Sequence, residues 1–101
     1  MYRFGEDKIL AEVLEYISST YKGHYVGKAA GANKEDIQTI DVWQTLGSLD
    51  TTSRDTSIKY LMRYGKKEGY NKKDLLKSIH YTILLWYATQ GVPVEQKDLG
   101  L

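Results

Sequence analysis

Lys59, Arg63 and Lys66 follow one another at steps of four and three, with Thr56 three residues ahead of Lys59. Such steps put side chains on one face of a helix. Asp74, Lys77 and Tyr81 repeat the spacing downstream, and Lys67 extends the basic run. If the two faces meet, they form a cluster of cations with one carboxylate and one phenol. A guanidinium is a bidentate fork for phosphate and an ammonium a point charge, so the cluster suits phosphate recognition. The same residues also describe a solvated helix face, with Asp55–Lys59 an i, i+4 pair and Arg63–Asp74 a structural ion pair.

The chain has nine tyrosines and two tryptophans, which can offer stacking surfaces to a nucleobase. Tyr25, Tyr60 and Tyr64 lie beside basic residues and are the candidates for that role. Trp43 and Trp86 read as core residues. His24 and His80 are the only histidines, and neither has a second histidine at helical spacing, so no histidine metal site is expected. His24 sits in a glycine-bearing stretch and is the better ligand candidate; His80 reads as a core-edge or oligomer-packing residue.

Two further patterns carry less. Gly23 to Ala29 looks like a phosphate-binding loop, but its glycines are one residue too close and Ala29 stands where a magnesium-binding hydroxyl is needed. Glu12 and Glu15 are three apart, as in helices that hold magnesium in all-helical nucleotide pyrophosphohydrolases, and as on any solvated helix face. Asp36 fits a helix start. Asp41 falls on the apparently inward side of its segment, where a carboxylate calls for a Lys or Arg partner.

Four helices must position these residues. Ile9, Leu10, Val13, Leu14 and Ile17 have helical spacing, with Glu6 and Asp7 at the positive end of the dipole and Gly23 as a stop. From Lys22 to Lys34 the chain lacks apolar periodicity and reads as a long loop. Asn33 to Asp36 predicts the second helix, with Ile37, Ile40, Trp43 and Leu46 as its stripe and Gly47 as its end; a short strand over Ile37–Trp43 is the alternative. Thr52 to Asp55 reads as a capping box opening a third helix, in which Ile58, Leu61 and Met62 face inward and which Gly65 ends. Asn71 caps the fourth, with Asp74 reaching back to the cap. Leu75, Leu76, Ile79, Ile83, Trp86 and Tyr87 form one apolar face, and Tyr81, Leu85 and Ala88 nearly cover another. That pattern predicts a central helix or one covered by another subunit; Gly91 and Pro93 close it.

The short link between the third and fourth helices predicts an antiparallel hairpin, with Arg63 level with Asp74, Lys59 with Ser78 and Thr56 with Tyr81. The expected architecture is all-α: one four-helix domain over 1–92, that hairpin at its centre, a long loop after the first helix, and a frayed tail over 93–101.

Composition bounds the rest. With 101 residues, 42% hydrophobic and 27% charged, the chain has ordinary globular composition and length for one core. Its formal charge of +1 argues against general nucleic-acid or membrane-surface binding. The absence of cysteine excludes disulfides, thiolate zinc sites and a cysteine nucleophile. The opening residues carry no signal-peptide apolar core, so the expected location is the cytosol.

The order His24-Tyr25, Ile37 to Asp41, Lys59-Tyr60 with Arg63 and Gly65-Lys66-Lys67, then Asp74-Leu75 with Lys77 and Tyr81, resembles the SaV-like family of small bacteriophage proteins, a domain of unknown function. The resemblance covers about Lys22 to Ala88 and is strongest in Lys-Tyr-x-x-Arg-x-Gly-Lys-Lys. Phe4 to Lys8 also looks like versions carried by phages of marine cyanobacteria. A short-tailed coliphage nucleotide kinase carries this domain at its C-terminal end and lacks a standard phosphate-binding loop.

The resemblance implies Lys59, Arg63, Lys66, Lys67, Asp74, Lys77 and Tyr81 as nucleotide-site residues, with His24 and Tyr25 as a lid. Family members show Gly-Asn ahead of the Ile-Lys-Tyr stretch, where this chain has Asp55-Thr56. That departure puts the activity in question, and the kinase's N-terminal region has no counterpart here.

The resulting expectation is a phage-encoded, homo-oligomeric nucleotide-binding protein acting in the host cytosol, with magnesium entering only if it is a nucleotide kinase. The alternatives are a non-catalytic sponge for a host nucleotide immune signal and a protein-interaction module without a small-molecule site.

Overall fold

The computed structural model describes residues 2–25, 31–66 and 68–94, with side chains described outside 22–38. Four helices follow in order: α1 (Glu6–Tyr25), α2 (Gly31–Leu46), α3 (Leu49–Arg63) and α4 (Lys72–Gln90). The fold is all-α, and α3 and α4 form the closely packed hairpin expected. None of the described helices is long and apolar enough to cross a membrane.

The helix boundaries follow local chemistry, with three corrections. α1 does not stop at Gly23 but runs to Tyr25, and α2 begins at Gly31 rather than after Asn33, so the expected 22–34 loop is shorter. The strand alternative for 37–43 gives way to α2. α3 starts at Leu49 behind Ser48, three residues before the supposed capping box. Thr52 to Asp55 therefore lies inside the helix. Asp50 occupies the first turn instead, where its charge suits the dipole.

α4 opens as expected on Asn71, whose side-chain oxygen accepts from the Lys73 amide at 3.0 Å. Asp74 does not reach back to that cap; its carboxylate faces Arg63 instead. Between the hairpin helices the chain reverses through Gly65, at φ +84°, a conformation open to glycine but costly to other residues. The Gly65 amide donates to the Gly69 carbonyl at 2.8 Å. A Cβ on Gly65 would meet the Tyr70 ring at 3.0 Å, so that exposed ring would have to shift, in addition to the strain of the positive φ.

The core departs from the periodicity. Among the described residues only Val13 and Leu49 are buried hydrophobics, joined by buried Ser53, Ser57, Asp74 and Ser78. Ile58, Leu61 and Met62, expected to face inward, are exposed. Trp86, read as core, is 57% exposed. The reason lies in the seam: small residues let α3 and α4 approach closely, and rotation along the helix then carries the large apolar residues to the outside.

Across that seam the Ser57 hydroxyl donates to the Ser78 carbonyl at 2.9 Å and the Ser78 hydroxyl returns to the Ser57 carbonyl at 3.0 Å. Thr82 Oγ1 lies 2.8 Å from Ser57 Oγ and also donates to the Ser78 carbonyl. One turn away, the fully buried Ser53 hydroxyl has no hydrogen-bond partner among the described groups.

Candidate functional site

The site is built on one side of the α3–α4 hairpin. At about 100° per residue, the seam positions Ser53 and Ser57 leave Thr56, Lys59, Tyr60 and Arg63 on one flank of α3. Ser78 leaves Lys77, Tyr81 and Leu84 on the matching flank of α4. These flanks meet: the Tyr60 and Tyr81 rings stack at 6.2 Å between centroids and 15° between planes. The Lys59 and Lys77 ammoniums lie 4.7 and 5.3 Å from the Tyr60 ring centre. One phenol thus carries two cations, one from each helix, and the π-face offsets part of their mutual repulsion. Among the described residues no carboxylate lies within ion-pair distance of either ammonium.

α1 and α2 complete a cleft over this flank. Tyr16 from α1 meets His80 edge-on at 6.1 Å, and Trp43 from α2 lies 6.3 Å from Tyr81. The cavity so enclosed has a volume of about 360 Å³, within the usual range for small-molecule sites. Tyr16, Tyr21, Ile40, Leu84 and the aromatic flank of the hairpin form its walls, and Lys77 and Asp41 supply charge. Burial holds the His80 pKa below its ordinary 6.5, so at neutral pH this imidazole is an uncharged donor and acceptor. The arrangement can sandwich a planar group between aromatic rings and neutralise an attached anion at the lysine rim.

The expected residues divide into three groups. Lys59, Tyr60, Lys77 and Tyr81 come together, with Thr56 on the same flank. Arg63 stands a turn further along, its Nε 3.9 Å from the nearly buried Asp74 carboxylate, so the level predicted for that pair holds. Lys66 is exposed in the interhelical turn. Lys67 and the side chains of His24 and Tyr25 lie outside the described residues, as do those of Asp36 and Ile37.

Other expectations change. Asp55 meets Arg54 at 3.6 Å rather than Lys59. Asp41 is exposed at the cleft rather than turned inward, so the burial that called for a cation partner is absent. Glu12 accepts from Lys72 at 2.6 Å, which ties α1 to the start of α4 rather than forming a carboxylate pair with Glu15. No three His, Cys, Asp or Glu side chains among the described residues cluster as metal ligands.

Tyr16, Tyr21, Leu84 and His80 as residues lining the cavity were missed. Their signal was faint: each sits on its helix as an ordinary apolar-face residue, and only the packing of α1 on α4 turns them into a wall. Comparison of the chain with protein-family models, curated proteins and solved structures found no match.

Proposed function

We propose that this chain is a SaV-like, phage-encoded protein that binds a nucleotide in the cleft between the hairpin and α1–α2, working as a homo-oligomer in the host cytosol. The observation that carries the reading is the pair of ammoniums, Lys59 and Lys77, gathered on the Tyr60 ring beside an aromatic cavity. An aromatic wall suits a base and unpaired ammoniums suit phosphate, and a nucleotide joins both chemistries in one molecule. Lys59 and Lys77 are the phosphate contacts and Tyr60 and Tyr81 the stacking surface. Arg63, held by Asp74, sets the far edge of the positive rim, and Lys66 extends it.

The test is a thermal-shift screen against mono-, di-, tri- and cyclic nucleotides, with Lys59→Ala and Lys77→Ala alongside. A ligand that binds the folded state raises the melting temperature, and both variants should lose most of that rise. Arg63→Ala is the poorer probe, because it also strands Asp74. No shift with any nucleotide sinks the proposal. Where a shift is found, recovery of the ligand unchanged after heat denaturation identifies sequestration. Phosphoryl transfer with added magnesium identifies a nucleotide kinase.

A further inference from the structure

Two opposite charges border the cleft, and the chain neutralises neither. Lys77 comes from α4 and Asp41 from α2, and both line the same cavity of about 360 Å³. Among its described lining residues Asp41 is the only carboxylate and Lys77 the only ammonium. No described cation lies within ion-pair distance of the Asp41 carboxylate, Lys77 included. His80 lines the cavity too, but burial keeps its imidazole uncharged at neutral pH, so it brings Asp41 no cation. The rest of the wall is largely aromatic and aliphatic. One acceptor-only group thus faces a cavity whose other charge is positive, and neither is satisfied from within the chain.

We infer that Asp41 is a specificity residue that reads the pairing edge of the base, selecting bases with an amino group there and rejecting thymine and uracil. This inference rests on the nucleotide reading and names which nucleotides the cleft takes. The phosphate is held at Lys59 and Lys77 and the ring lies on Tyr60 and Tyr81, which leaves the edge of the base as the part a carboxylate on α2 can meet. An ionised carboxylate accepts hydrogen bonds and donates none. Guanine offers it two adjacent donors, a ring N–H and the amino group beside it, which match the two carboxylate oxygens. Adenine and cytosine offer an amino donor next to a bare ring nitrogen. Thymine and uracil offer a single ring N–H between two carbonyls, whose lone pairs oppose the carboxylate.

The exposure of Asp41 sharpens the selection. In the empty cleft its carboxylate is hydrated, so a base that displaces this water without supplying donors loses affinity. Rejection therefore comes from the wrong base as much as from attraction to the right one. The expected ranking is guanine first, adenine and cytosine next, thymine and uracil last.

The test is titration calorimetry of the full chain with guanosine, adenosine, cytidine, uridine, thymidine and xanthosine nucleotides, in the phosphate form that gives the largest thermal shift. The wild type should bind the guanosine nucleotide about tenfold or more tightly than those of uridine and thymidine. Xanthosine should bind as weakly, because its base carries a carbonyl where guanine has the amino group. In Asp41→Asn the amide oxygen still accepts the ring N–H while the amide nitrogen donates to that carbonyl, so the preference should pass from guanine to xanthine. Asp41→Ala should bind all the bases within a few-fold of one another. Loss of a packing residue would weaken every nucleotide alike and could not exchange one base for another. A wild type that binds uridine as tightly as guanosine overturns the inference whatever the variants do, and so does an unchanged guanine preference in Asp41→Asn. Base-blind binding that Lys77→Ala abolishes overturns this inference and leaves the nucleotide reading standing; no binding of any nucleotide overturns both.

Discussion

The seam between α3 and α4 and the back of the same hairpin invert the usual distribution of residue types. In the seam, Ser53, Ser57, Ser78 and Asp74 are buried. On the flank turned away from the cleft, Ile58 and Leu61 meet water. Both surfaces come from the same two helices, separated by about a quarter turn. The seam gains its stability from close approach and from hydroxyls that satisfy carbonyls across the interface. The back carries the larger apolar area, which stabilises only what covers it. A helix's most hydrophobic face is thus the face its own chain packs only when that chain has another layer to offer.

Five substitutions test that contrast, beginning with the largest effect and its control. Ser57→Leu fills a site built for close approach and removes the reciprocal hydroxyl–carbonyl bonds. It should cost about 3 kcal/mol or more in chemical denaturation. Met62→Leu, on the outer side of α3, should change little by the same measurement. Arg63→Ala leaves the nearly buried Asp74 carboxylate without its cation and should cost about 2 kcal/mol. Asp74→Ala should cost less, because Arg63 is half exposed and keeps its water; equal losses would mean the pair is not the organising contact. Ser53→Ala removes a buried hydroxyl with no partner and should stabilise by about 1 kcal/mol. A loss of stability there would mean that the hydroxyl is bonded.

The smallest effect is a pH dependence from His80. Burial lowers its pKa in the folded protein, so the unfolded chain binds the proton more readily. Its contribution is complete above the unfolded value of about 6.5. Stability should fall as pH drops below that value and level off once the folded histidine also protonates. His80→Gln should flatten that part of a denaturation profile measured from neutral to mildly acidic pH. An unchanged profile would place the imidazole in a wetter setting than its contact with Tyr16.

Much of the site was legible because it rests on two helices joined by a short turn. Four-residue spacing puts Lys59 with Arg63 and Lys77 with Tyr81, and the antiparallel link sets their levels. Arg63 opposite Asp74 follows from that counting alone. The inward residue at the Ser78 level proved to be Ser57 rather than Lys59, since level does not fix rotation. The misreading of Ile58, Leu61 and Met62 has the same origin. Periodicity reports which residues share a face and is silent on which face a neighbour reaches. Tyr16 and His80 were illegible as cleft residues because their pairing depends on how α1 lies along α4.

By itself, the amino-acid sequence determined the four helices, several of their ends and the antiparallel hairpin. Local interactions decide these: a side-chain cap at Asn71, positive-φ glycines at Gly47, Gly65 and Gly91, and a link too short for any other path. Only the tertiary structure decided that serines and Asp74 would fill the seam, that Tyr60 would gather Lys59 and Lys77, and that the richest apolar surface would face outward. Those outcomes depend on the rotation and separation of helices distant in sequence. Close approach at small residues sets both, and no periodicity within one helix encodes it.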